Sequence, residues 1–232
     1  MTALDDKVRG ALAWLERHGS KKGREGMRRY AIVADSAFGV SMKDMQALAK
    51  TLGRDQALAE ALWATGQYEA RMTACYVGEP DKITAARMDA WCRAFDNWAI
   101  ADTACFALFD RTPHAWKKVA QWTCSRGEFV KRAGFALLWG LTVHDKEAPD
   151  ARYLEGLEFI ESQAVDDRHW VKKAVNMALR ATGKRNGALN AAAIKVAKRL
   201  AASTDPGPRW IGKDALRELE GYHSRKSVKE VA

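Results

Sequence analysis

Ile100-Ala101-Asp102-Thr103-Ala104-Cys105-Phe106 sets one charged residue among small and apolar ones, and three other segments repeat the arrangement. They are Glu69-Ala70-Arg71-Met72-Thr73-Ala74-Cys75, Val130-Lys131-Arg132-Ala133-Gly134-Phe135-Ala136 and Val171-Lys172-Lys173-Ala174-Val175-Asn176-Met177. The charged positions Arg71, Asp102, Arg132 and Lys173 follow one another after 31, 30 and 41 residues. Those steps bracket the period of stacked two-helix repeats, in which small residues let neighbouring helices approach and equivalent positions line one continuous surface. An all-α helical repeat solenoid is therefore expected, with the four charged residues forming a ridge along a concave basic groove.

The rest of the chain reads as helix too. Ala, Leu, Lys, Arg and Glu are frequent, and no run shows the strict alternation of a half-buried strand. Ser41 is placed to cap a helix running to about Leu52, and Thr112 followed by Pro113 reads as an N-cap and first-turn pair. Gly53, Gly66, Gly183 and Gly187 mark helix ends. The only linker-like stretch is Ser203 to Pro208, with a helix expected from about Arg209 to Tyr222. One domain over residues 1–223 and a polar tail over 224–232 are expected.

The 232 residues carry 38 Lys and Arg against 29 Asp and Glu, a net charge of +9. Residues 1–164 hold 23 basic and 22 acidic side chains, whereas residues 165–232 hold 15 and 7, so the excess lies near the C-terminal end. A localised basic excess suits an anionic partner, with nucleic acid the commonest. The longest apolar stretch, Phe135 to Val143, falls short of the ~18 to 20 residues that cross a bilayer. Asp5, Asp6, Lys7 and Arg9 stand where a signal sequence would be apolar, so no membrane contact and a cytoplasmic location are expected. Cys75, Cys92, Cys105 and Cys124 have neither C-x-x-C spacing nor a nearby His pair, which points to reduced, mostly buried thiols and to no metal.

Trp98 and Asp102 are four residues apart, which puts both side chains on one helical face, with Asp96 and Asn97 placed to cap that helix. Around them the chain closely resembles the AlkD-like DNA alkylation repair family of HEAT-like alkylpurine DNA glycosylases. The resemblance is carried by Asp96-Asn97-Trp98-Ala99-Ile100-Ala101-Asp102, Val130-Lys131-Arg132-Ala133, and Val171-Lys172-Lys173-Ala174 with Leu179-Arg180. It extends to Met27-Arg28-Arg29-Tyr30 followed by Gly39-Val40, and to Leu62-Trp63, covering about Met27 to Leu219.

The resemblance implies hydrolysis of the N-glycosidic bond of cationic N3- or N7-alkylated purines in duplex DNA, without base flipping and without metal or cofactor. Asp102 and Trp98 would be the catalytic pair, Asp102 stabilising positive charge on the deoxyribose and Trp98 packing beside the sugar and backbone. Arg132 would hold a phosphate bidentately, and Lys131, Lys172, Lys173 and Arg180 are further candidate DNA contacts, with Arg71 on the same ridge. Tyr30 is either an aromatic of the groove or a core tyrosine. A monomer acting on nucleoid DNA is expected. In one place the sequence departs from the family: Met177 occupies the position where a second tryptophan of the lesion cleft would stand. Trp170, two turns upstream, reads as a packing residue.

Two readings of Asp102 remain at this point, a catalytic carboxylate or a structural ion-pair partner of Arg71 or Arg132. Two alternatives to a glycosylase remain as well: a noncatalytic HEAT-like protein that binds branched or damaged DNA, and a helical scaffold that binds protein. Trp14, Trp63, Trp91, Trp116, Trp122 and Trp139 fall at apolar helical positions and read as packing. Lys195, Lys198 and Arg199 read as a solvated face as readily as a DNA contact.

Overall fold

The structure, a computed structural model, describes residues 2–32 and 36–222. All regular structure among these is helical, in thirteen α-helices and one short 3₁₀ turn. The expected C-terminal tail over 224–232, together with His223, lies outside the described residues. The chain divides into two compact units, residues 1–113 and 114–232. No described helix is long and apolar enough to cross a membrane.

The first unit contains α1 (Ala3–His18), α2 (Lys21–Arg29), α3 (Met42–Leu52), α4 (Gln56–Ala64), α5 (Tyr68–Val77), α6 (Ala85–Arg93) and α7 (Trp98–Ala107). Helix α5 packs against α3, α4 and α7, and only Arg71 and Tyr76 along it escape burial. A helix apolar on nearly every side has to sit inside, and α5 does. Its buried Glu69 accepts backbone N–H bonds from Phe38, Gly39 and Val40, at 3.2, 2.6 and 3.3 Å, so the carboxylate pins the segment leading into α3. Trp63 and Trp91 stack at 4.2 Å with nearly parallel rings and form the aromatic centre of the unit.

The second unit contains α8 (Ala115–Thr123), α9 (Glu128–His144), α10 (Asp150–Gln163), α11 (His169–Gly183), α12 (Gly187–Ala201) and α13 (Pro206–Leu219). Alternate helices pack on each other: α9 on α11 and α11 on α13 in one layer, α8 on α10 and α10 on α12 in the other. Each helix from α8 to α13 also touches its successor; between α9 and α10 the contact is made by Gly156 against Leu138 and by the Tyr153 hydroxyl, which donates to the Leu141 carbonyl at 3.0 Å. This is the two-layer stacking that the repeat spacing predicts. Glycine makes two of the close approaches possible. A Cβ on Gly134 would lie 2.5 Å from the Thr123 nitrogen, and one on Gly212 would lie 2.3 Å from the Ala201 nitrogen.

Most predicted boundaries hold. Ser41 caps α3, while Gly53 ends it at a φ of 74° that favours glycine. Two boundaries are displaced. Thr112 and Pro113 precede α8 without capping it; the Thr112 hydroxyl instead donates to the Phe109 carbonyl and closes the 3₁₀ turn, and the helix starts at Ala115. Helix α13 begins at Pro206 rather than Arg209, because Asp205 caps it and proline suits a first turn whose N–H groups lack helical partners.

Candidate nucleic-acid interface

In the first unit the site is built on α7. The Asn97 side chain accepts from the Ala99 and Ile100 amides at 3.0 and 3.1 Å, which fixes the start of the helix at Trp98. Ala99, Ile100, Ala101, Ala104, Cys105 and Ala107 are buried, so Trp98, Asp102, Thr103 and Phe106 make up the half-buried face. The Trp98 indole N–H donates to the Tyr30 carbonyl at 2.8 Å and is thereby held in one orientation. That carbonyl lies at the end of α2, where Ala31 takes the left-handed conformation at a φ of 52°. A non-glycine residue there costs roughly 1 to 2 kcal/mol, a strain located at the residue after the Trp98 anchor. Tyr30 itself is 69% exposed, so the core alternative for it falls away.

Asp102 thus sits on a half-buried helical face, one turn from an oriented indole. Cys105, three residues on, is buried, and burial first, then the charges of Cys92, Asp102 and Asp110, push its thiol well above the ordinary range. It is held as a neutral thiol, not a nucleophile. Arg71, on the neighbouring helix α5, makes an ion pair with Asp96 at 3.8 Å and lies over the Trp63 ring at 5.2 Å.

In the second unit Arg132 is buried, with Nη1 donating to the Trp170 carbonyl at 2.8 Å and the guanidinium 5.7 Å from the Trp170 ring centre. Trp170 is therefore a support for Arg132 as well as a packing residue. Lys172 and Lys173 project from α11 with their ammonium groups 5.7 and 4.7 Å from the ring of Trp210 on α13. Trp210 drew no attention in the sequence, because its partners lie on a different helix.

Two expected DNA contacts are occupied inside the protein. Lys131 is buried and donates to Gln163 at 2.7 Å and to Asp166 at 2.9 Å. Asp166 also receives both arms of Arg168, at 2.8 and 2.6 Å. The Arg168 guanidinium, with Lys131 beside it, holds the Asp166 carboxyl far below the ordinary carboxylate range against the opposing effect of burial. Arg180 pairs with Glu218 of α13 at 2.8 Å, and Lys184 shares the same carboxylate. Burial opposes ionisation of Glu218, but Lys184 and Arg180 outweigh it and the carboxyl lies below its usual range.

A cavity of about 750 Å³ in the second unit opens between α9 and α11. Trp139, Val143 and Met177 supply apolar walls, and every charged residue lining it is basic: Lys146, Arg180, Lys184 and Arg185. Trp139, expected as a packing residue, also lines this cavity. Among the described residues no three of His, Cys, Asp and Glu come together as a metal site would require.

A second feature that the sequence reading passed over is α2. Five of its nine residues are cationic, none is buried, and Lys21, Lys22, Arg28 and Arg29 make no ion pair with any described residue. The signal was a local charge density that averaging over 164 residues erased.

A family model described as DNA alkylation repair enzyme matches residues 11–219. One solved structure is described as a new family of proteins related to the HEAT-like repeat DNA glycosylases with affinity for branched DNA structures. It is similar to this chain with a TM-score of 0.78 and 20% sequence identity, over 92% of this chain and 94% of that chain. At that identity the likeness speaks to fold, and the fold is the HEAT-like helical repeat. No curated protein sequence matches.

Proposed function

The chain belongs to the DNA alkylation repair enzyme family, and from that premise we propose that it is a monofunctional DNA glycosylase that hydrolyses the bond between deoxyribose and an N3- or N7-alkylated purine in duplex DNA. The observation that carries this reading is the half-buried face of α7, where an indole anchored through its N–H stands one helical turn from a carboxylate. An alkylated purine is already cationic and leaves without being protonated. As the N-glycosidic bond breaks, its electron pair departs with the base, which becomes neutral, and positive charge grows on the sugar. Asp102 stabilises that charge and orients the water that adds to it, while Trp98 presents an aromatic face to the same cation. Such chemistry suits a helical face that water can reach and does not require the reacting base to enter an enclosed pocket.

Phosphate contacts in this reading come from Lys172, Lys173 and the cations of α2, rather than from Lys131, whose ammonium is paired inside the protein, or Arg132, which is buried and donates to the Trp170 carbonyl. The protein acts as a monomer on nucleoid DNA and needs no cofactor.

A carboxylate ~4 Å from a developing unit charge is worth ~4 kcal/mol at an effective dielectric near 20, or roughly a thousandfold in rate. Release of 7-methylguanine and 3-methyladenine from methylated duplex DNA by wild type and Asp102→Asn tests this. Release should fall by about that factor in the variant while duplex binding persists; equal rates would refute the role of Asp102. A second reading, a noncatalytic binder of branched DNA, is favoured by Met177 in the lesion-cleft position and by the affinity for branched DNA of the structurally similar protein. Salt-sensitive binding to a branched substrate, with no base released from any alkylated duplex, would establish it.

A further inference from the structure

We infer that the cavity between α9 and α11 receives an unpaired nucleotide of bound DNA, with its base against Trp139 and Met177 and its phosphate at the mouth lined by Lys146, Arg180 and Lys184. The inference rests on the reading that DNA is the ligand, and adds to it a site for one structural element of that DNA.

Shape comes first. A volume of about 750 Å³ lies within the range of roughly 300 to 1,000 Å³ in which small-molecule and cofactor sites fall, and leaves room for one nucleotide. Its chemistry is divided in the same way as a nucleotide's. Trp139, Met177 and Val143 offer apolar surface. An indole and a polarisable thioether are sequence-tolerant partners for the flat face of any base.

The charged lining is entirely basic and suits a phosphodiester. These cations are not equivalent. Arg185 is committed to the Lys146 and Ala148 carbonyls at 2.8 and 3.1 Å and lies over Tyr153 at 4.3 Å, so it supplies charge and holds the wall. Arg180 and Lys184 share Glu218, one negative charge among four positive ones. The Arg180 Nε is buried without a hydrogen-bond partner, an unmet donor in the wall of the cavity. Lys146 is exposed and makes no ion pair with a described residue, which leaves it available for phosphate. A fully paired duplex keeps its bases stacked inside and offers nothing to the apolar wall. An unpaired nucleotide satisfies both halves of the cavity.

The test uses two oligonucleotide duplexes that differ by one bulged 2-aminopurine, the same analogue being paired in the control. Wild type should bind the bulged DNA roughly tenfold more tightly and quench its fluorescence, in keeping with the stacking of one base on an aromatic side chain. Trp139→Leu should bind both duplexes with the affinity that wild type has for the paired one, and Trp139→Phe should retain the preference. Lys146→Glu, at an exposed position where folding is not at stake, should also lose the preference. Equal binding of both duplexes by wild type overturns the assignment while leaving DNA binding intact. Failure to bind either at low salt overturns the DNA reading and this site with it. Deoxyadenosine monophosphate added alone separates the sources of the nucleotide. Saturation only in the millimolar range is expected for a site that depends on the attached strand, and micromolar saturation would identify free nucleotides as the ligand and refute the assignment to DNA.

Discussion

Exchanging Asp166 for asparagine should destabilise the second unit by about 3 kcal/mol, whereas exchanging Lys131 for methionine should cost little and leave DNA affinity nearly unchanged. Lys131 and Asp166 are each only 11% exposed at the side chain and lie 2.9 Å apart, so removing the carboxylate strands an ammonium group in a place water hardly reaches. Breaking a buried pair from one side costs roughly 3 to 5 kcal/mol, because the charge left behind has lost its compensation. The lower end applies here, since Gln163 still accepts from Lys131 at 2.7 Å. Removing the ammonium is milder, because Asp166 keeps both arms of Arg168. At roughly 2 to 4 °C per kcal/mol, Asp166→Asn should lower the melting temperature by about 6 to 12 °C. The pH dependence has a definite sign. Asp166 is depressed in the folded protein, so its contribution is fully present above the ordinary carboxylate pKa of ~3.9 and is lost as pH falls below it toward the lower folded value. Wild type should therefore show a stability loss in acid that Asp166→Asn lacks. Urea denaturation at several pH values, alongside binding as a function of salt, reads both effects. An Asp166→Asn protein within about 0.5 kcal/mol of wild type, with Lys131→Met reducing the salt slope by about one, would show that Lys131 serves phosphate and not the fold.

Three further outcomes follow from other elements. Asn97→Ala removes the acceptor of two α7 amides and should cost about 1 kcal/mol in thermal unfolding, with base release falling further because Trp98 and Asp102 sit in the frayed turn; an unchanged melting temperature would refute the capping argument. The double variant Arg28→Ala, Arg29→Ala should leave stability unchanged, since α2 buries nothing, and reduce the salt slope of DNA binding by up to about two; an unaltered slope would remove α2 from the interface. Met177→Trp should raise the rate of base release from methylated duplex DNA if the thioether limits the lesion cleft, and an unchanged or lower rate in a single-turnover assay would take Met177 out of the chemistry.

The contrast between Lys131 and α2 explains which parts of this protein could be seen in its sequence. Whatever is written within one helical turn was legible: the cap at Asn97, the shared face of Trp98 and Asp102, the glycine that ends α3, and the recurrence of small residues where helices meet. Each depends on neighbours three or four positions away, and the helical period converts that spacing directly into geometry. Charge does not behave this way. Lys131 meets an acid 35 residues on, Arg180 and Glu218 are 38 apart, and Arg199 reaches back 38 residues to grip Glu161 at 2.6 and 2.7 Å. In stacked helices such separations are one or two elements, so cations that look free in sequence are neutralised across the stack. The basic excess of residues 165–232 is consequently a poor index of phosphate contacts, since Arg168 and Arg217 pair with nearby carboxylates, Arg199 pairs across the stack, and Arg180 and Lys184 share one carboxylate between them. The nearly neutral first 164 residues conceal the opposite case, a nine-residue helix with five exposed cations beside the carbonyl that anchors Trp98. What distinguishes a charge that binds a partner from one that binds the fold is whether an acid stands one layer away, and that is fixed by stacking rather than by composition.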